Sequence, residues 1–272
     1  MRYNIGEIHN DGGSMRYNLH THTFRCRHAQ GSDREYVEAA IKAGMKVLGF
    51  ADHCPQFFPN DYYSTFRMFP EDAADHAESV RALAKEYKSD IQILLGFETE
   101  YYPEIFGELL QLVRQLGCDY LIMGQHFIEN EYDRPSFYGS APSRDDIDRY
   151  ITQTLEGLRT GAFSYIAHPD IISYSEGDRN FYRMRMEYFC SALKEMDIPV
   201  EYNLLGMRNR KWYPNPVFWE AAAAVGCPTV LGYDAHSPEM LRDEELYSQG
   251  VRELKSCGIT PVNFSQITIR KP

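Results

Sequence analysis

A regular alternation between short apolar runs and longer amphipathic runs is the feature that most constrains the fold of this chain. The apolar runs are rich in β-branched and aromatic residues, and each is followed by a helix-like segment. Seven strands are predicted in this way: residues 15–19, 46–51, 92–97, 120–124, 163–167, 200–204 and 229–232. Because parallel strands need crossover helices, the pattern predicts an α/β protein with a parallel sheet.

The segments between the strands carry the signals of helix ends. Ser32 and Glu35 have the spacing of a capping box, and Gly44 follows the last turn of the same predicted helix. The predicted helices are residues 32–44, 70–88, 104–116, 143–159, 180–196, 214–225 and 238–257. Seven units without a Gly/Ser-rich or Pro-rich linker favour a single closed or nearly closed barrel domain over residues 1–272. A doubly wound open sheet is the alternative.

The N-terminus and the cysteines indicate where the protein works. The segment Met1–Glu7 has no apolar stretch of the kind that directs secretion. The six cysteines are irregularly spaced and form no CxxC pair, which favours reduced thiols and a cytoplasmic location. Met-Arg-Tyr-Asn occurs at residues 1–4 and again at 15–18. The repeat indicates Met15 as an alternative start, with residues 1–14 as a peripheral extension, and a chance repeat is the other interpretation.

The charge balance excludes some classes of partner. The chain has 28 Lys and Arg residues against 39 Asp and Glu residues, which gives a formal net charge of −11. An acidic surface repels a phosphate backbone, so nucleic acid is not an expected partner. Since no stretch approaches the roughly 18 apolar residues of a membrane span, a membrane is not expected either. The protein is expected to act on a small molecule, as a monomer or homodimer.

Histidines and acidic residues are concentrated at the predicted strand ends. Seven of the nine histidines lie at or just after such an end: His20, His22, His28, His53, His126, His168 and His236. Asp52, Glu98, Glu100 and Asp234 occur beside them. Because the carboxyl ends of the strands meet on one face of a β/α barrel, these side chains are expected to converge there. Imidazole together with carboxylate suits zinc, iron or manganese, so the pattern predicts a multinuclear metal centre.

The number of donors bears on the number of metal ions. Two metals that share a carboxylate use about six protein ligands and leave positions open for water and substrate. The candidate ligands number nine: His20, His22, His28, His53, Glu98, His126, His168, Asp234 and His236. The three surplus histidines are what a third metal needs.

The order and spacing of these residues resemble the polymerase and histidinol phosphatase (PHP) family. The resemblance extends from about Met15 to the C-terminus. It rests on His20-Thr-His22-Thr, His28, Asp52-His53, Gly96-Phe-Glu98, His126, Ala167-His168-Pro-Asp170 and Gly232-Tyr-Asp234-Ala-His236. The resemblance implies a distorted seven-stranded (β/α)7 TIM-like barrel that holds three divalent metal ions, whose identity varies among zinc, iron and manganese.

The same resemblance implies how the ligands are divided among the three metals. The first metal takes His20, His22, Glu98 and Asp234. Glu98 bridges to the second metal, which His126 and His168 complete. The third metal takes His28, His53 and His236.

A finer resemblance concerns the sixth predicted strand. Its sequence Glu201-Tyr-Asn203-Leu-Leu-Gly206-Met-Arg208 is similar to the Glu-x-Asn-Thr-x-Gly-x-Arg segment of the family's histidinol-phosphate phosphatases. Leu204 replaces the usual Thr, and Tyr233 stands where Ser is usual, so both departures are expected to bear on the substrate pocket. The resemblance implies a metal-dependent phosphomonoesterase that hydrolyses L-histidinol phosphate in histidine biosynthesis.

The expected mechanism follows from clustered cations. They lower the pKa of bound water toward about 7 and neutralise phosphoryl oxygens. The hypothesis is that a hydroxide shared by the two metals that Glu98 bridges attacks phosphorus. Glu98, Asp234 and His236 are the predicted catalytic residues. The general acid for the leaving alkoxide is left open between Asp170 and Glu100.

A cationic side chain is expected to help bind the phosphate. Arg208 is the first candidate because a guanidinium matches phosphate with two hydrogen bonds. A solvated loop charge is the alternative interpretation of Arg208. Arg179 and Arg25 are weaker candidates, and Asn203 is expected to orient the substrate or a ligand.

Three other functions remain as alternatives. An amidohydrolase barrel also begins with HxH, but its binuclear form bridges the metals with a lysine on the fourth strand, and residues 120–126 contain no lysine. A related phosphoesterase acting on protein phosphotyrosine or on a nucleic-acid end is the second alternative. A non-catalytic barrel is the third, although none of the expected ligands is missing.

Overall fold

Seven strands lie side by side in chain order, and every neighbouring pair is parallel. This computed structural model describes residues 16–133, 142–174 and 178–272. The strands are β1 Tyr17–Asn18, β2 Val47–His53, β3 Gln92–Thr99, β4 Tyr120–Met123, β5 Tyr165–Ile166, β6 Val200–Asn203 and β7 Thr229–Gly232. The predicted parallel α/β architecture is confirmed, and the open doubly wound alternative, in which the strand order reverses, is wrong.

Helices alternate with the strands. They are α1 Asp33–Lys42, α2 Ala73–Glu86, α3 Phe106–Gln115, α4 Arg144–Arg159, α5 Arg179–Glu195, α6 Leu204–Arg208, α7 Pro216–Val225 and α8 Glu244–Ser256. Ser32 caps α1 with a reciprocal contact from Glu35, as the sequence predicts. The short helix α6 was not predicted. It begins where β6 was expected to continue, because the Asn203 side chain accepts a hydrogen bond from Gly206 N and caps a helix there.

The barrel closes at one rim. β1 and β7 meet at an isolated parallel bridge between Thr21 and Ala235. His22 N donates to Ala235 O at 2.9 Å, and Ala235 N donates to His20 O at 3.1 Å. These residues follow the carboxyl ends of their strands, so the sheet forms the nearly closed barrel that was predicted.

Two apolar clusters lie on the two sides of the sheet. In β2, Leu48 and Phe50 pack outward against the helices, whereas Val47 and Ala51 belong to the cluster inside the barrel. This alternation follows from the two-residue period of a strand. The C-terminal segment contributes Phe264, Ile267 and Ile269 to the inner cluster. Val262 N bonds to the first residue of β7, so this segment covers the amino ends of the strands and leaves the carboxyl ends to form a site.

Other expectations concern the chain as a whole. Residues 1–15 lie outside the described residues, so the alternative start at Met15 stays a prediction. All six cysteines are free thiols, as predicted. Over the three described ranges, the helices include none that is both long and apolar enough to cross a lipid bilayer.

Candidate metal centre

The closure of the barrel brings four candidate ligands together. His20 and His22 flank Thr21 on one side of the bridge, and Asp234 and His236 flank its partner Ala235 on the other. All four side chains face the barrel mouth, where the ring centroids of His22 and His236 are 4.2 Å apart. The Nε2 atoms of His20 and His22 are 3.1 Å apart, and His22 Nε2 lies 3.0 Å from Asp234 Oδ1.

Glu98 lies at the middle of the cluster. The register between β2 and β3 places it opposite His53, whose Nδ1 lies 3.2 Å from Glu98 Oε2. His168 Nε2 approaches Glu98 Oε1 to 2.8 Å. Ring nitrogens of three more histidines lie 3.5 Å from its carboxylate oxygens: His20, His22 and His126. One buried carboxylate therefore contacts five imidazoles.

All nine predicted ligands converge at this rim. Within the described part of the chain, five sets of three donor atoms have all their members within 4.8 Å of one another. The sets are His28/His53/His236, His20/His22/Glu98, His20/His168/Asp234, His53/Glu98/His126 and His22/Cys26/His236. The first set equals the group predicted for a third metal. The sets overlap, because His20, His22, His53, Glu98 and His236 each belong to two of them.

Several polar atoms of the cluster make no hydrogen bond and so fit metal ions. Both carboxylate oxygens of Glu98, Asp234 Oδ1 and His53 Nδ1 are buried without a hydrogen bond. Burial alone raises the pKa of Glu98, but the nearby histidines, His126 before His20, hold the pKa of this carboxyl well below its usual range. An ionised buried carboxylate without hydrogen bonds needs a cation. Imidazole and carboxylate are the donors that zinc, iron and manganese accept.

Carboxylates behind the ligands fix the orientation of the imidazoles. His20 Nδ1 lies 2.8 Å from Glu201 Oε2, and His126 Nδ1 lies 2.6 Å from Glu100 Oε1. A carboxylate can only accept, so Nδ1 carries the proton in both rings and Nε2 faces the cluster. Glu100 thus orients His126. The orienting role of Glu201 was not anticipated from the sequence, although its spacing of two residues from Asn203 places both on one face of β6.

Two features of the backbone support this geometry. His168 and Asp234 have φ angles of 29° and 51°, in the left-handed region that costs energy for residues other than glycine. Gly232 lies so close to Glu201 that an added Cβ would be 2.1 Å from its Oε1. The backbone is therefore strained at two of the donors, and a glycine leaves room for the carboxylate that orients a third.

A cavity of about 430 Å³ opens above the donors. Its volume is within the range of about 300–1,000 Å³ that is typical of small-molecule sites. The wall beyond the donors consists of Phe66, Leu205, Asn209, Lys211 and Tyr213. Among the described residues, Lys211 is the one lysine or arginine in this lining. It was not singled out from the sequence, because its position follows from the unpredicted helix α6.

The predicted phosphate-binding arginines are not in the cavity lining. Arg208 ends α6 as an exposed side chain, because the turn of that helix directs the chain away before Asn209 and Lys211 return to the cavity. Arg179 is an exposed residue at the start of α5 and pairs with Glu220 at 2.7 Å. The weaker candidate Arg25 pairs with Asp33 and Asp75. None of the three arginines lines the cavity above the donors.

Asn203 acts on a candidate ligand. Its amide nitrogen donates to Asp234 Oδ2 at 3.1 Å and to Glu201 Oε1 at 2.9 Å. The side chain is buried and does not line the cavity. Of the two expected roles, orienting a ligand is the one that this geometry favours.

The two departures from the subgroup pattern lie away from the cavity, contrary to expectation. The Tyr233 hydroxyl accepts from Arg16 at 2.7 Å, and its ring stacks on Tyr247. Leu204 is buried and approaches Gly250 on α8. Both side chains pack between the sheet and the outer helices, so neither shapes the site.

Asp170 has a structural role. Its Oδ2 accepts from Asn215 N at 2.6 Å and from Trp219 Nε1 at 2.9 Å, which fixes the start of α7. Burial raises the pKa of this carboxyl to about 6. Asp170 is absent from the cavity lining, so the structure does not support it as the general acid.

Fold and site together define a parallel β/α barrel with a multinuclear candidate metal centre at the carboxyl ends of its strands. The sequence profile of the PHP domain matches residues 18–204. The chain belongs to the PHP domain family.

Individual relatives agree with this family. A Deinococcus radiodurans protein named probable histidinol-phosphatase is 28% identical over 254 residues, which cover 90% of this chain and 95% of that protein. The histidinol-phosphatase of Bacillus subtilis is 22% identical, with 80% of this chain and 92% of that protein covered. The structure of histidinol phosphate phosphatase from Lactococcus lactis, complexed with zinc, L-histidinol and phosphate, has the same fold. Its TM-score is 0.67 at 20% identity, with 93% of this chain and 98% of that chain covered.

Proposed function

We propose that this protein is a metal-dependent phosphomonoesterase that hydrolyses L-histidinol phosphate to L-histidinol and inorganic phosphate. The observation that carries the proposal is the convergence of nine imidazole and carboxylate donors beneath a cavity whose wall carries a lysine. The names of the relatives, which match over most of their length, support this substrate. As a biosynthetic enzyme with free cysteines, it is proposed to act in the cytoplasm, as a single barrel domain in a monomer or homodimer.

Three divalent ions, of zinc, iron or manganese, are proposed to occupy the cluster. The first is assigned to His20, His22, Glu98 and Asp234, and the second to Glu98, His126 and His168. The third is assigned to His28, His53 and His236, whose ligand atoms all lie within 4.8 Å of one another. When bound, such ions activate water at neutral pH and neutralise the phosphoryl oxygens.

The chain's own residues position the substrate. Lys211 is proposed to bind a phosphoryl oxygen, since its ammonium is a point charge at the cavity wall. Phe66 and Tyr213 offer aromatic surfaces on which the imidazole of histidinol can pack. Glu98 and Asp234 place their negative charge among the histidines and so concentrate cations at the floor of the cavity. The apolar wall at Leu205 limits the water that reaches the phosphate.

Lys211→Met is expected to raise KM for L-histidinol phosphate by about 10-fold or more, with a smaller change in kcat and unchanged metal content. The reason is that a hydrogen bond to a charged group contributes about 1.5–3 kcal/mol. Steady-state kinetics on protein of measured metal content check this. Arg208→Met serves as the comparison, because it removes an exposed charge from the same segment and should leave KM unchanged. An unchanged KM in Lys211→Met together with a raised KM in Arg208→Met would assign the phosphate-binding role to Arg208 instead.

A further inference from the structure

A buried arginine connects the loop over the cavity to the cluster. Arg67 belongs to the segment of residues 54–69, between β2 and α2, and its side chain is only 2% exposed. Its guanidinium contacts two buried carboxylates from other loops. Nη1 donates to Glu100 Oε2 at 2.9 Å and Nη2 donates to Glu100 Oε1 at 3.2 Å, while Nη2 also pairs with Glu131.

The remaining contacts hold the guanidinium in one orientation. Nε donates to Ser64 Oγ at 3.1 Å, and Nη1 also donates to Cys54 O at 3.3 Å. The guanidinium lies 4.5 Å from the centroid of the Phe66 ring, which lines the cavity. A planar guanidinium with several hydrogen-bond partners fixes the position of a carboxylate more tightly than the ammonium of a lysine does.

The chain of contacts continues into the candidate metal centre. Glu100 accepts from His126 Nδ1 at 2.6 Å, and the other nitrogen of that ring, Nε2, lies 3.5 Å from Glu98 Oε1. Arg67 therefore does not touch the donors itself, but it holds the carboxylate that sets the orientation of His126. Rotation of Glu100 would break the hydrogen bond that His126 Nδ1 donates to it and would allow the ring to turn its Nε2 away from Glu98.

We propose that Arg67 is a positioning residue for the metal that His126 binds, and that it links the 54–69 segment to the occupancy of that metal. This inference rests on the proposed metal centre. Arg67 orients Glu100, Glu100 orients His126, and the same guanidinium supports Phe66 at the cavity wall. Loss of the arginine leaves two buried carboxylates without their cation, so both the ring orientation and the loop are released.

The test measures metal binding rather than activity alone. Metal affinity per site is determined by titration of chelator-stripped protein, and the visible absorption of the cobalt-loaded protein reports the geometry around the ion. Arg67→Met is expected to weaken one of the sites by about 10–100-fold and to change the cobalt spectrum. Arg67→Lys keeps a positive charge but not the planar guanidinium, and it is expected to lose less metal affinity than Arg67→Met.

Arg81→Met is the matched control, because it breaks an ion pair of 2.7 Å with Asp119 away from the cluster, and it should bind metal as the wild type does. Unchanged affinity and spectrum in folded Arg67→Met would overturn the inference. If Arg67→Met does not fold, Arg67→Lys decides: weaker binding at one site supports the role, and unchanged binding overturns it. A wild-type protein that binds no metal would instead refute the proposed metal centre.

Discussion

Glu98→Gln is expected to lower kcat/KM for phosphomonoesters by on the order of 10³-fold, which corresponds to about 4 kcal/mol of transition-state stabilisation. It is also expected to reduce the bound metal by at least one ion per chain. The substitution keeps the volume of the side chain, so the fold should survive. Metal content and phosphate release, measured on the same preparation, check the prediction.

The physical reason is the position of Glu98 at the middle of the cluster. Its two oxygens lie within 3.5 Å of ring nitrogens on both sides, and neither makes a hydrogen bond. Glutamine replaces one oxygen by an NH₂ group, which cannot bind a cation, and removes the negative charge that offsets the metal ions. Both proposed metals that share this carboxylate should therefore be affected.

Glu108→Gln is the control for this change, because Glu108 is an exposed residue of α3. It should leave metal content and kinetics unaltered. A Glu98→Gln protein that retained wild-type metal content and activity would remove Glu98 from the site.

Gly124→Ala is the second change with a large expected effect. A Cβ at this position, directly after β4, would lie 1.9 Å from Glu98 Oε1 and 2.5 Å from its Cδ. Since Glu98 is buried and contacts five histidines, a displacement of its carboxylate must change its distances to these donors. The variant is expected to lose metal and at least about 10²-fold in kcat/KM, as a ligand displaced by 1 Å or more implies.

The matched control is Gly107→Ala in α3, where an added Cβ meets nothing within 4 Å. Alanine should stabilise this helix by about 0.5–1 kcal/mol and leave the site unchanged. Thermal unfolding separates a general loss of stability from a local effect. Wild-type metal affinity in Gly124→Ala would show that Glu98 tolerates displacement, contrary to the proposed arrangement.

The strands and the donor cluster could be predicted from the sequence because both follow from short-range patterns. The apolar runs have the strand period, and the histidines occur where those runs end, as in His20-Thr-His22 after β1. The fold then brings the ends together. The division of the donors among individual metals is not set by such patterns, since His53 and Glu98 each lie within reach of more than one position.

The side of the cavity that is proposed to bind phosphate was less predictable from the sequence. The sequence Val200–Leu204 alternates apolar and polar residues as a strand does, whereas the Asn203 cap begins helix α6 at Leu204, the residue with which the strand was expected to end. That helix directs Arg208 outward and brings Lys211 to the cavity. The proposed positioning role of Arg67 was missed in the sequence for a different reason. Its carboxylate partners are 33 and 64 residues away in the sequence, and no periodic pattern relates them.

Phosphate release by one preparation, first stripped by a chelator and then reloaded with counted equivalents of zinc, iron or manganese, tests the central claim most directly. L-histidinol phosphate, para-nitrophenyl phosphate and a phosphotyrosine peptide are compared at each metal content. The account predicts that the stripped protein is inactive and that metal restores activity. It also predicts a kcat/KM for L-histidinol phosphate several orders of magnitude above the other two. Hydrolysis that is independent of metal, or a fully loaded protein that favours another ester, would contradict it.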